Sequence, residues 1–250
     1  MIYVTIKWIA SRAIYLPAIL GFALLSGCAS GPQANPTDPL EPLNRSVYSL
    51  NEGVDKAVLK PLALGYKAVT PQPIRAGVSN FFNNIEDLWS SINGVLQLRP
   101  KVAVDNFMRF SFNTAFGLAG VLDIASEMGI ERQPEDIGKT LGRWGVPAGP
   151  YLVLPLFGPS TLRDASTIAL ENRYDPISQM DPVKARNSLT VLGLIDTRTN
   201  LLPIDKFLDE AALDKYSFTR DAFLQKRRAE IYKPGVSTDD DDKKPVDAKK

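Results

Sequence analysis

Residues 71–96 read PQPIRAGVSNFFNNIEDLWSSINGVL. Pro71-Gln72-Pro73 breaks the chain. From there apolar residues recur at Ile74, Val78, Phe81, Ile85, Leu88, Trp89, Ile92 and Val95, in steps of three and four with one adjacent pair. That is the period of a helix with a broad apolar stripe. Downstream, Pro100 opens a second helix to about Thr114, carrying Val104, Phe107, Met108, Phe110 and Phe112. Asp181-Pro182 starts a third, with Ala185, Leu189, Leu192 and Ile195 on one face, and a charged helix with a break follows from about Asp205 to Tyr232. Upstream, Asp38-Pro39-Leu40-Glu41 places an N-cap, a proline at N1 and a glutamate at N3, a capping-box variant. It predicts a helix toward Leu59, with a shorter one after Pro61. Only Tyr151–Leu154 reads as extended, ended by Pro155. The expected fold class is all-α, a single helical domain over residues 38–232.

Composition narrows the chemistry. The 250 residues include no histidine and one cysteine. Without histidine there is no Ser-His-Asp triad, Cys-His dyad, HExxH zinc site or imidazole base. One cysteine rules out an internal disulfide and any CxxC motif. A lipid hydrolase would have to rely on Ser-Lys or carboxylate chemistry. Basic and acidic residues number 29 and 28, so the charge of +1 gives no nucleic-acid footprint.

The N-terminus carries a distinct signal. Lys7 and Arg12 precede Ala13–Leu25, an uncharged and mostly apolar run of signal-peptide length, too short to span a bilayer comfortably. It ends in Leu25-Ser26-Gly27-Cys28, the pattern cleaved in bacterial lipoproteins. Residues 1–27 are therefore read as a signal peptide, with Cys28 as an acylated mature N-terminus bearing S-diacylglycerol and an N-acyl chain. Three acyl chains make such an anchor effectively permanent. Ala29, rather than Asp, follows the cysteine, which favours sorting to the outer membrane. Residues 28–37 read as a flexible tether. Residues 233–250, with Asp239-Asp240-Asp241-Asp242, read as a disordered charged tail, because no spaced calcium-ligand loop accompanies the carboxylates. No segment of the mature chain reaches eighteen consecutive apolar residues.

Three features stay open between readings. The aromatic-rich helices (Phe81, Phe82, Trp89, Phe107, Phe110, Phe112, Phe116) are core by period alone, but an anchored domain can also lay such faces in a membrane interface. Gly138 and Gly142 form either a flat packing ridge or a turn, whereas Gly145 and Gly149 read as turn glycines. The basic run Arg220, Lys226, Arg227, Arg228 and Lys233 suits a helix C-terminus, with anionic headgroups as the second reading.

Several motifs together resemble the MlaA (VacJ) outer-membrane lipoproteins. They are Asp38-Pro-Leu-Glu41 with Leu43-Asn44-Arg45, Val69-Thr-Pro-Gln-Pro73 and Gly77-Val-Ser-Asn-Phe81. Arg109-Phe110, Asn113-Thr114, Gly117, Gly120 and Asp123 fit as well. The most specific are Thr140-Leu-Gly142, Trp144-Gly-Val146, Gly149-Pro-Tyr-Leu-Val-Leu-Pro155 and Gly158-Pro-Ser-Thr-Leu-Arg-Asp164. The likeness runs from Asp38 to Asp164 and is loose beyond about Tyr174.

The resemblance implies a ring of amphipathic helices around an amphipathic channel in the periplasmic leaflet of the outer membrane, without enzymatic activity or cofactor. It implies removal of mislocalised phospholipids from the outer leaflet, association with a porin trimer, and delivery to a periplasmic carrier feeding an inner-membrane ABC transporter. Asn44, Arg45, Asn113, Arg163 and Asp164 are then candidates to line a polar lane or to form a buried network that holds the ring. Gly138, Gly142, Gly145 and Gly149 are gate candidates. The alternative function is a structural lipoprotein that steadies a porin without moving lipid.

Overall fold

The computed structural model describes residues 38–232. The expected signal peptide, Cys28, the tether, Lys233 and the charged tail lie outside the described residues. Among the described residues, nine α-helices and one hairpin follow in order. They are α1 (Glu41–Val54), α2 (Lys60–Val69), α3 (Gln72–Leu96), α4 (Pro100–Ala115), α5 (Ile124–Glu127), α6 (Ile137–Arg143), β1 (Tyr151–Leu154), β2 (Gly158–Thr161), α7 (Leu162–Tyr174), α8 (Val183–Ala211) and α9 (Lys215–Ile231). The all-α class holds, with β1 and β2 the one antiparallel pair among the described residues, in which Tyr151 faces Thr161.

Proline sets most helix starts, as the sequence predicts. Four local expectations change. First, α1 and α2 are not separated by a break: a π-helical stretch, Asp55–Leu59, joins them, and Lys60 N–H bonds back to Asp55 O. Pro61 sits in the first turn of α2, and the widened turn before it accommodates a residue that can neither donate to nor approach the carbonyl four positions back. Second, Asp38 is no cap; Leu40 holds the N-cap position and makes no side-chain bond, while Asp38 is buried. Third, α8 continues through Pro203, so the break expected within the charged helix falls at residues 212–214, and Asp214 caps α9. Fourth, β2 was not expected; its Gly158-Pro159 start hides the alternation by which strands are recognised.

Packing closes a circuit. α1 lies on β1, the hairpin on α7, α7 on α6, α6 on α3, α3 on α8, and α8 on α2, which leads back through the π-helical stretch to α1. α4 folds back along α3, and α9 braces α6 and β2.

The polarity of this assembly is inverted relative to the helix-stripe expectation. α3 buries Gly77, Asn84, Asp87, Ser90, Ser91, Asn93 and Gly94. The apolar stripe, which period alone would make core, is half-buried or exposed, with Ile74, Ile92 and Val95 exposed. α4 likewise buries Asn106, Arg109 and Asn113 and exposes Val104, Phe107 and Met108. Close approach explains the choice of inner residues. A Cβ on Gly94 would lie 2.8 Å from the backbone nitrogen of Ala103, so α3 and α4 meet through small side chains and polar bonds rather than interlocking leucines. Among the described residues, buried polar and charged side chains outnumber buried apolar ones by more than two to one. A small aromatic cluster of Tyr151, Val153 and Tyr216 packs beside the hairpin.

Candidate lipid-contact surface and its polar frame

Three buried ionic joints hold the helices. In the first, Arg109, 2 % exposed, donates from Nε to Asp87 Oδ2 (3.1 Å) and from Nη2 to both oxygens of Asp123 (3.0 Å each). Its Nη1 reaches Ile130 O at 2.6 Å and Ser126 Oγ at 3.1 Å. Arg132 Nε donates to the other Asp87 oxygen at 2.8 Å. Desolvation would raise the Asp123 pKa, but bonds from Ser126, Arg109 and Asn113 outweigh it and hold the carboxylate below its ordinary range.

The second joint fastens α9 to α6 and α7. Arg227 grips Asp136 through two bonds of 2.6 Å and gives Nε to Asp164 Oδ2 at 2.8 Å. Asp136 is also the N-cap of α6, accepting from Lys139 N–H at 2.7 Å. Burial pushes its pKa up, yet the Arg227 contacts dominate and hold it low.

The third lies across the start of the fold. Asp38 accepts from Asn44 Nδ2 (2.8 Å), from the Tyr216 hydroxyl and from Arg220 Nη1 (3.4 Å). Elsewhere, Arg198 clamps Asp55 through both oxygens (2.6 and 2.8 Å) and reaches Asp205 (2.7 Å), tying α8 to the π-helical stretch.

All five polar residues singled out by sequence enter such bonds. Asn44 is buried between Asp38 and the β1 backbone; Asn113 bonds Asp123 and the N–H of Ala125. Arg163 bonds Asp164 and Val146 O, and Asp164 is shared with Arg227. Arg45 differs: it is partly exposed, bridges Glu41 and Asp214, and stacks 4.3 Å from the Tyr216 ring centroid. They form no single cluster, because Asn113 belongs to the Arg109 joint and the others to the two joints around α9. The basic run of α9 resolves similarly: Arg220 and Arg227 are occupied by carboxylates, while Lys226 and Arg228 are exposed.

The glycines divide into two kinds. A Cβ on Gly138 would come within 2.5 Å of Asp164 Oδ1 and 2.6 Å of Arg227 Nη2, and one on Gly142 within 2.8 Å of Arg163 Nη1. These are close-packing positions on α6, the ridge reading. Gly145 and Gly149 have φ of +89° and +69°, the turn geometry expected of them.

Sequence reasoning missed Asp87, Asp136, Arg198 and Asn51 as structural anchors. A signal was present: Asn84, Asp87, Ser91 and Gly94 recur at three and four, as do Asn106, Arg109 and Asn113. The polar stripe has the same period as the apolar one, and period alone does not say which of the two faces turns inward.

Outside this frame many large apolar side chains are exposed, interspersed with charged ones such as Lys56, Glu86 and Lys101. Phe107, Phe116, Leu118, Trp144, Leu156, Phe157 and Leu194 are all exposed. Three leucines combine exposure with left-handed backbone: Leu98 (φ 54°, 88 % exposed), Leu118 (φ 54°, 71 %) and Leu156 (φ 66°, 66 %). For a residue other than glycine that conformation costs about 1–2 kcal/mol, and in water the apolar exposure adds to the cost. Exposed apolar surface this extensive marks a lipid or protein contact. No helix among the described residues is long and apolar enough to cross a membrane.

The family model described as MlaA lipoprotein matches residues 36–230. The chain belongs to the MlaA lipoprotein family. The match extends well past Asp164, where the motif resemblance weakens, so α8 and α9 are part of the family region. The intermembrane phospholipid transport system lipoprotein MlaA of Escherichia coli K12 is 37% identical over 213 residues, covering 83% of this chain and 84% of that one. The Haemophilus influenzae protein of the same name is 35% identical over 221 residues, covering 84% of this chain and 87% of its own length. A solved chain from work on the structural basis for maintenance of bacterial outer membrane lipid asymmetry superposes with a TM-score of 0.69 at 33% identity. It covers 78% of this chain and 99% of itself. These MlaA relatives are named as phospholipid transport lipoproteins.

Proposed function

We propose that this chain is an outer-membrane lipoprotein that removes mislocalised phospholipids from the outer leaflet and passes them to a periplasmic lipid carrier. The observation that carries the reading is the inverted partition of side chains, charged and amide groups inside and aromatic and aliphatic groups outside. It is joined to membership of a family whose Escherichia coli member is named for intermembrane phospholipid transport. A helix circuit with apolar outer faces suits immersion in one leaflet. A polar lane within it would carry a headgroup that costs several kcal/mol to place in hydrocarbon. Asn44, Arg45, Asn113, Arg163 and Asp164 supply that polarity or the frame that keeps it in place. Acylation of Cys28 ties the domain to the membrane. A porin trimer is the proposed partner in the outer membrane, and an inner-membrane ABC transporter the acceptor beyond the carrier.

Deletion of the gene tests the proposal. Outer-leaflet phospholipid is expected to rise at constant porin abundance. Unchanged surface phospholipid with impaired porin assembly would instead establish a structural lipoprotein that steadies the porin.

A further inference from the structure

Asn44 and Asn51 lie seven residues, or two turns, apart on the same face of α1. Asn44 grips the free edge of β1 in place of a third strand, and Asn51 bonds the end of β1 and the turn residue two beyond it. Asn44 donates to Tyr151 O at 3.0 Å and accepts from Val153 N–H at 2.9 Å. Asn51 donates to Leu154 O at 2.9 Å and accepts from Leu156 N–H at 2.8 Å. The second pair brackets the hairpin tip, where Leu156 is held left-handed and Leu156 and Phe157 project with about two thirds of their surface exposed.

A turn facing water leaves its polar backbone groups to solvent and favours glycine at such a φ. This tip does the opposite. Pro155 has no N–H, and Asn51 bonds the N–H of Leu156 and the carbonyl of Leu154, so these groups do not look to water, the condition that hydrocarbon surroundings impose. Asp38, the first described residue, bonds Asn44 beside the start of β1, at the base of this hairpin. Ten residues from Cys28 reach at most about 35 Å, and a four-residue strand is about 13 Å long. A bilayer holding the Cys28 acyl chains therefore lies within reach of the tip.

We propose that Pro155-Leu156-Phe157 is an insertion prong that enters the leaflet carrying the lipid anchor, and that Asn51 sets its direction and so the seating of the domain on that leaflet. The inference rests on the lipoprotein reading above.

The full processed chain is reconstituted in phosphatidylethanolamine–phosphatidylglycerol vesicles. An environment-sensitive fluorophore is placed through Phe157→Cys, and separately through Phe107→Cys on the outer face of α4. Nitroxide-labelled lipid is expected to quench both sites. Asn51→Ala and Leu156→Asp should each abolish quenching at 157 while leaving it at 107. Should Asn51→Ala fail to fold, Leu156→Asp decides alone. Quenching at 107 with none at 157 in the parent, or quenching at 157 untouched in the folded variants, overturns the prong. Quenching at neither position overturns the membrane reading with it.

Discussion

Arg109 uses all three guanidinium nitrogens on partners inside the α3–α4–α5 junction, with Asp87 wholly enclosed opposite it. Removing one member of such a set leaves charge uncompensated in a low-dielectric interior. Arg109→Leu is expected to destabilise the fold by about 3–5 kcal/mol, measured by denaturant unfolding. The glycines of α6 offer a second residue-scale test. Gly138→Ala must displace the Asp164–Arg227 pair and should cost about 1–3 kcal/mol. Gly145→Ala meets open space and bears only the backbone penalty, about 1 kcal/mol. A gate at Gly138 would give a different pattern: altered transport with unfolding midpoint unchanged. At this scale the sequence was partly legible. Asn44, Asn113, Arg163 and Asp164 stood out as polar groups in apolar surroundings, and all four are buried and bonded. Asn51 gave no signal, because its role depends on a strand about a hundred residues away.

At the level of elements, proline spacing and helical period located α3, α4 and the start of α8 closely, and Tyr151–Leu154 was read correctly as a strand. The boundaries that moved did so for local reasons: a π-helical stretch absorbing Pro61, and a proline tolerated within α8. Periodicity identifies a two-faced helix but cannot say which face turns inward when the surroundings are themselves apolar. The seat of α9 carries a pH dependence. Asp136 is held below its ordinary range in the folded state, so its contribution is complete at neutral pH and above. It is lost as pH falls from about 4 through the folded value. Glu171, raised by burial and by the neighbouring Asp136, acts in the opposite sense and takes up its proton earlier. Protection of α9 amides, taken relative to intrinsic exchange at each pH, should therefore fall in acid ahead of that of α3, and Arg227→Gln should produce that loosening already at neutral pH.

For the whole molecule, the decisive relation is between the polar frame and the apolar exterior. A protein of this size in water would place its leucines and phenylalanines inside and leave its carboxylates outside. Here Asp87, Arg109 and Asp38 are inside, and Leu98, Phe107 and Leu118 are outside. An anchor is the proposed means of keeping such a surface in lipid. Cys28→Ala should yield a chain that lacks acyl mass on its N-terminal peptide and either remains as precursor or leaves the outer membrane. The most direct test is photocrosslinking in intact cells, with a benzophenone side chain at Phe107 or Leu118 on the exterior and at Tyr232 at the charged end of α9. Phospholipid adducts at 107 and 118, and none at 232, are the expected result. Absence of lipid adducts at both exterior positions, from a chain released by washing without detergent, would contradict it.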